Sequence, residues 1–309
     1  MKNFFLLICF NLMSLTVLAQ SGIETEHILF KGMDRFYRVY VPDSYDQNQN
    51  YPLVFILHGG GGTAKAMVRF VGGRFNRLAE REGFIAVYPN GFKKGWNDSA
   101  RDTLAAARRL NIDDVGFFDA MINDLEQKLS INKNQIFACG ISNGGFMVQR
   151  LAFERPEIFK AIAVVAANLS EDQSQKSLPA NPVSVLFMCG TSDPLVPYNG
   201  GHVTVLKQKR GKVKSMKETV EYWKKIDGCS AKDFEYQFPD ANQHDKSTAV
   251  KTTWYNPDQP DLKVTDIKIE NGGHTWPGGK QYLPKALVGT VNRDFNACDE
   301  IWGFFKTQL

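Results

Sequence analysis

Ser142 stands in Gly140-Ile141-Ser142-Asn143-Gly144, a G-x-S-x-G pattern. Before it comes the apolar run Gln135-Ile136-Phe137-Ala138, and after it the amphipathic run Phe146-Met147-Val148-Gln149-Arg150-Leu151-Ala152-Phe153. Strand, glycine-flanked serine, helix is the context a nucleophile elbow needs. Glycines two residues before and after the serine let strand and helix pack close without Cβ clashes. A serine hydroxyl is a poor nucleophile at neutral pH. It needs a base to take its proton and a third group to orient that base. Asp193 follows Leu186-Phe187-Met188-Cys189-Gly190, and His274 follows the last expected strand, Lys263 to Ile269. Either residue alone reads as an ordinary loop residue. Together, in the order Ser, Asp, His and each after a strand, they read as a triad. His202, close in sequence to Asp193, is the rival base.

Acyl transfer also needs hydrogen-bond donors aimed at an oxyanion, each worth roughly 2.7–4 kcal/mol. The loop His58-Gly59-Gly60-Gly61-Gly62 follows a buried strand, and its glycines let backbone N–H groups approach a substrate. The Asn143 N–H, directly after the serine, would supply one donor, and Gly60 or Gly61 the other. His58 is expected to hydrogen-bond the backbone and shape that loop. The loop lacks the Lys-Ser/Thr of a P-loop, and no G-x-G-x-x-G fingerprint or zinc-ligand spacing is present, so the residues imply no metal and no cofactor.

The elements that must position these groups alternate. His27–Phe30 and Phe36–Pro42 read as an antiparallel pair. Leu53–Leu57 is apolar throughout, as expected of a strand covered on both faces, and Phe84–Tyr88, Ala161–Ala166 and Val183–Met188 read as further strands. Helical stretches fall at Ala64–Glu82, from Asp113 to about Leu129, at Glu218–Ile226 and at Phe295–Phe305. Phe234–Phe238 and Ala249–Tyr255 suit a hairpin. Such alternation implies a mostly parallel sheet with helices on both faces. Each candidate group then falls at the C-terminal end of a strand, where such sheets place their sites. Part of the segment from Tyr198 to Asn256 is expected to be an insertion over the site.

The 309 residues carry a formal charge of +4, too small to point to nucleic acid. Six cations between Lys207 and Lys217 read as a solvated loop and helix start in preference to the alternative, a polyanion site. Hydrophobic residues at 43% and charged residues at 23% exclude a largely disordered chain. Lys2, the apolar stretch Phe4–Leu18 and Ala19 form a secretory signal, with cleavage expected after Ala19. Residues 20–309 then form one exported catalytic domain, a monomer with no stable membrane anchor. Of the four cysteines past the leader, Cys229 and Cys298 are the expected disulfide.

In order, HGGGG, GISNGG, GTSDPLVPYNGG and NGGHTWPGG resemble the secreted polyhydroxybutyrate-depolymerase and feruloyl-esterase family of α/β-hydrolases, over nearly the whole mature chain. The resemblance implies an α/β-hydrolase fold and a serine esterase forming an acyl-enzyme, with the family's triad on Ser142, Asp193 and His274. Its substrates are feruloyl or acetyl esters on plant polysaccharide or, alternatively, hydroxybutyrate oligomers or polymer. A peptidase and an inactive carbohydrate-binding relative are the remaining readings. The Thr275-Trp276-Pro277-Gly278 segment implies that Trp276 lines the substrate cleft, and Trp96 is expected to do the same.

Overall fold

The structure, a computed structural model, describes residues 22–176 and 179–309. The expected leader, residues 1–19, lies outside the described residues. The opening pair is β1 (Gly22–Phe30) and β2 (Met33–Val41), antiparallel. β3 (Tyr51–Leu57), β4 (Ile85–Pro89), β6 (Phe159–Val165) and β7 (Ser184–Gly190) are buried almost throughout, as is the second half of β5 (Ile131–Ile141). β8 (Gly201–Val205) and β9 (Gln208–Val213) form a separate hairpin. β10 (Ala231–Gln237), β11 (Thr248–Asn256) and β12 (Gln259–Glu270) return to the main sheet. Of the segment expected as an insertion, the hairpin β8–β9 stands off the sheet, whereas β10 and β11 extend it.

The ten-stranded sheet has the order β1-β2-β4-β3-β5-β6-β7-β12-β11-β10. Its six central strands are parallel, flanked on each side by two antiparallel ones. From β3 the chain steps to β4 on one side, then jumps back past β3 to β5. Right-handed crossovers in opposite directions lay their helices on opposite faces. Accordingly α1 (Ala64–Phe70) and α2 (Arg74–Glu82) share one core with α9 (Ala297–Lys306). The other core takes α4 (Asp114–Lys128), α5 (Asn143–Glu154) and α7 (Met216–Asp227). Single turns α3 (Ala106–Arg109), α6 (Glu171–Ser174) and α8 (Lys285–Val288) sit in the connections. The loops leaving β3 and β5 part at this reversal, and the crevice between them is where such sheets bind ligands.

Two expectations need correction. The helix expected over Ala64–Glu82 is two helices, because Gly72 and Gly73 take positive φ (61° and 65°) and end the first before the second begins. The expected Cys229–Cys298 disulfide is absent, and all four described cysteines are buried free thiols. Cys229 packs in the core of α7 and Cys298 in the core of α9. The sheet lies between them, whereas a disulfide requires Cα atoms within about 7 Å.

Candidate active site

β5 ends at Ile141 and α5 starts at Asn143, so Ser142 makes the whole turn. Its φ of 57° and ψ of −123° lie outside the ordinary regions for an L-residue, a strain of about 1–3 kcal/mol that the surroundings must hold. They do so through the Ser142 N–H, which donates to the Val165 carbonyl on β6 at 2.9 Å, and the Ser142 carbonyl, which accepts from Phe146 N–H at 2.9 Å. The flanking glycines are required by contact. A Cβ on Gly140 would come within 2.6 Å of the Gly144 carbonyl, and one on Gly144 within 2.6 Å of the His58 carbonyl. The elbow is therefore pressed against the loop that leaves β3.

Asp193 lies just past β7 and His274 just past β12. Since β5, β6, β7 and β12 are successive parallel neighbours, the three residues share one edge of the sheet. Asp193 and His274 touch directly, with Nδ1 of His274 2.7 Å from Oδ2 of Asp193. Both side chains are buried. The other carboxylate oxygen accepts from Leu195 N–H at 2.7 Å and Val196 N–H at 2.8 Å. A carboxylate only accepts, so Nδ1 carries the proton and the lone pair of Nε2 is left for another partner. The His274 backbone is pinned on both sides. Its N–H donates to the Val288 carbonyl at 2.6 Å, and its carbonyl accepts from the Tyr282 hydroxyl at 3.1 Å. No hydrogen bond joins Ser142 Oγ to His274 among the described residues; the sheet, rather than a direct contact, puts them on a common edge. His202, the rival base, is exposed on β8 opposite Lys212, while Asp193 is taken up by His274.

The two glycines proposed for the oxyanion loop separate cleanly. Gly61 N–H is already donated to the Lys94 carbonyl at 2.8 Å. Gly60 N–H and Asn143 N–H meet no acceptor among the described residues, and a Cβ on Gly60 would sit 3.7 Å from the Asn143 Cβ. Gly60 and Asn143 are thus neighbouring free donors, and Gly61 is corrected to a structural role. His58 shapes the loop as expected. Its Nε2 accepts from Gly91 N–H at 3.0 Å, so Nδ1 bears the proton and donates to the Gly59 carbonyl at 2.8 Å. Burial lowers its pKa from 6.5 to about 4.

Trp96 and Trp276 do not line a cleft: each is fully buried. Trp96 donates its indole N–H to the His58 carbonyl at 2.9 Å and stacks obliquely on His58. Trp276 packs edge-on against Phe70 and Phe75. Both glycine-bounded segments place a large ring beneath the site to fill the space behind the loops. Tyr282, 42% exposed, presents an aromatic surface beside His274.

Sequence reasoning missed the clamp on Asn143. Its side chain accepts from Trp96 N–H at 2.8 Å and donates to the Trp96 carbonyl at 3.1 Å and to Asp98 at 2.8 Å. Asp98 is in turn gripped by Arg108 through two bonds, at 2.7 and 2.5 Å, and Arg108 also reaches Asp102. Asn97 N–H donates to Asp114, which pairs with buried Arg35. The only sequence signal for this network is the acidic and amide cluster around Trp96.

The chain matches the family described as "Putative esterase" over residues 31–287. It is 32% identical to the putative esterase NocK of Nocardia uniformis subsp. tsuyamanensis over 289 residues, covering 91% of this chain and 82% of that relative. It is 31% identical to the probable feruloyl esterase C of Aspergillus oryzae over 188 residues, 59% of this chain and 64% of that protein. Among solved structures, the acetyl xylan esterase from Aspergillus awamori matches at 16% identity with a TM-score of 0.59, over 92% of this chain and 99% of that one. At that identity the likeness speaks for the fold, an α/β-hydrolase.

Proposed function

The chain belongs to the esterase family and is a carboxylic ester hydrolase, and from that premise we propose that it works through Ser142, His274 and Asp193 on feruloyl or acetyl esters carried by plant polysaccharide. The observation that carries the mechanism is the 2.7 Å contact between His274 Nδ1 and Asp193 Oδ2, which leaves Nε2 free on the edge where Ser142 stands. His274 Nε2 takes the Ser142 proton as Oγ attacks the ester carbonyl carbon. The carbonyl oxygen becomes an oxyanion and receives Gly60 N–H and Asn143 N–H. His274 then gives its proton to the departing alkoxide, leaving an acyl-Ser142. Water, deprotonated by the same nitrogen, attacks that acyl carbon and releases the acid. Asp193 holds the ring in the required tautomer and offsets the positive charge on the imidazolium.

The substrate class rests on the feruloyl esterases among the relatives. Tyr282, exposed beside His274, is the aromatic surface we assign to the acyl group in place of Trp276. Export of residues 20–309 as one monomeric catalytic unit belongs to the same proposal. It rests on the leader pattern; no described helix is long and apolar enough to cross a membrane.

The test is hydrolysis of p-nitrophenyl acetate, methyl ferulate and a hydroxybutyrate oligomer by wild type and Ser142→Ala. Turnover that disappears in the variant and is fastest on methyl ferulate or the acetate is the expected result. Preference for the oligomer would move the substrate to polyesters. Turnover that survives Ser142→Ala would remove the proposed nucleophile.

A further inference from the structure

The hairpin β8–β9 and its exit carry Lys207, Lys209, Arg210, Lys212, Lys214 and Lys217 within eleven residues. None of the six is in an ion pair among the described residues, and residues 1–21 and 177–178 contain no acidic side chain. Half of the other described lysines, among them Lys128, Lys251 and Lys306, meet a carboxylate. Lone unpaired lysines such as Lys65, Lys160 and Lys263 occur elsewhere among the described residues, and what sets the hairpin apart is six such cations in one short stretch. Glu218, the nearest acid along the chain, is turned back onto Ser215 in a capping box. Arg210 Nε is shielded from solvent with no acceptor. Six cations within eleven residues, with no carboxylate among them, leave a concentrated patch of positive charge on this hairpin.

The hairpin is also fixed to the candidate site. Thr204 N–H donates to the Leu195 carbonyl at 2.9 Å, two residues past Asp193, and Met216 N–H to the Tyr198 carbonyl at 2.8 Å. On the other side, Lys214 N–H donates to the Leu169 carbonyl at 2.9 Å, and Ser170 bridges to Val213. Asn168 Nδ2 ties both sides together, reaching the carbonyls of Pro197 and Lys214. Leu169 and Ser170 lie in the loop leaving β6, the strand between those that end near Ser142 and Asp193. Val203 and Val213 are buried against the core, so strand alternation turns His202, Thr204 and Lys212 outward. Arg210 and Lys212 lie two residues apart, about 7 Å along the strand.

We propose that this hairpin docks the uronate carboxylates of an acidic polysaccharide and so selects, for the esterase reading on which this rests, esters borne on acidic rather than neutral glycans. Fixed cations beside a site raise the local concentration of an anionic polymer and its rate of encounter. A polar strand with hydroxyl and ammonium groups suits a chain of hydroxylated, carboxylate-bearing sugars. An anionic lipid surface fits less well, because Leu206 at the tip is the one large apolar side chain exposed on the hairpin, and interfacial binding needs a broader apolar face.

Binding is measured with Ser142→Ala protein, so that it does not depend on turnover, using polygalacturonate, neutral arabinoxylan and phosphatidylglycerol vesicles. The same three probes are presented to Lys207→Gln/Lys209→Gln/Lys212→Gln on the Ser142→Ala background, after its thermal unfolding is shown to match. Polygalacturonate should bind at low salt, weaken about tenfold in the triple variant, and be released by about 0.5 M NaCl. Arabinoxylan binding should not change between the two proteins. In enzymes with Ser142 intact, the loss should appear in KM for acetylated pectin. Equal binding of both glycans, or no effect of the three substitutions, overturns the proposal. Binding to the vesicles but not to polygalacturonate overturns it in favour of a membrane surface. Failure of the esterase reading would appear separately, as absence of Ser142-dependent ester turnover with polygalacturonate binding intact.

Discussion

His58→Gln tests whether the loop behind the oxyanion donors depends on a neutral histidine. In the folded protein Nε2 accepts from Gly91 N–H and Nδ1–H donates to the Gly59 carbonyl, and burial lowers the pKa from 6.5 to about 4. A second proton on Nε2 would remove the only lone pair the ring offers and set N–H against N–H. Because the folded-state pKa is depressed, the unfolded chain binds more protons between about pH 4 and 6.5. Stability is then fully present above pH 6.5 and falls as pH drops toward 4. A difference of about 2.5 pH units at 1.36 kcal/mol each gives a loss of about 3 kcal/mol across that window. Glutamine can still accept from Gly91 N–H through its side-chain oxygen but does not titrate. Urea unfolding at half-unit steps from pH 4 to 7.5 should show the wild type losing about 3 kcal/mol more than the variant. The variant should be the less stable of the two at pH 7.5, where the better-fitted imidazole is present. Parallel stability curves for the two proteins would refute the assignment of a neutral, buried His58.

Asp193→Asn should leave the fold in place, because the side-chain oxygen can still accept from Leu195 and Val196 N–H. Its amide would meet Nδ1 of His274 as a donor, forcing the proton onto Nε2 and removing the base. A fall of about ten-thousandfold in kcat on p-nitrophenyl acetate with KM little changed is expected, and a fall of less than tenfold would contradict the assigned tautomer. Trp276→Phe should lower stability by about 1–3 kcal/mol, since it empties space behind Phe70 and Phe75 in a closed core. KM for methyl ferulate should not move, and a marked rise in KM would return Trp276 to the cleft.

The chemistry of this chain is local, and for that reason much of it is legible in the residue order. G-x-S-x-G between a strand and a helix specifies the elbow, because only glycine tolerates the approach seen at Gly140 and Gly144. The apolar runs of β3, β4, β6 and β7 specify a covered parallel sheet, because only a two-sided core removes period-2 alternation. Asp193 is legible as a candidate because it follows such a run, and His274 because it follows the last expected strand, now β12. Which partner each group finds depends on long-range packing that no window of sequence holds. The approach of Lys94 to Gly61 took one oxyanion candidate away and left Gly60. The closing of α1, α2 and α9 over Trp276 turned an expected cleft residue into core. The sheet itself, lying between Cys229 and Cys298, decided that two cysteines able to pair on paper remain free thiols. Sequence determined the parts and their order along the sheet edge. Tertiary structure decided which donors stay free and which aromatics face solvent, because burial and hydrogen-bond satisfaction are set by residues distant in the chain.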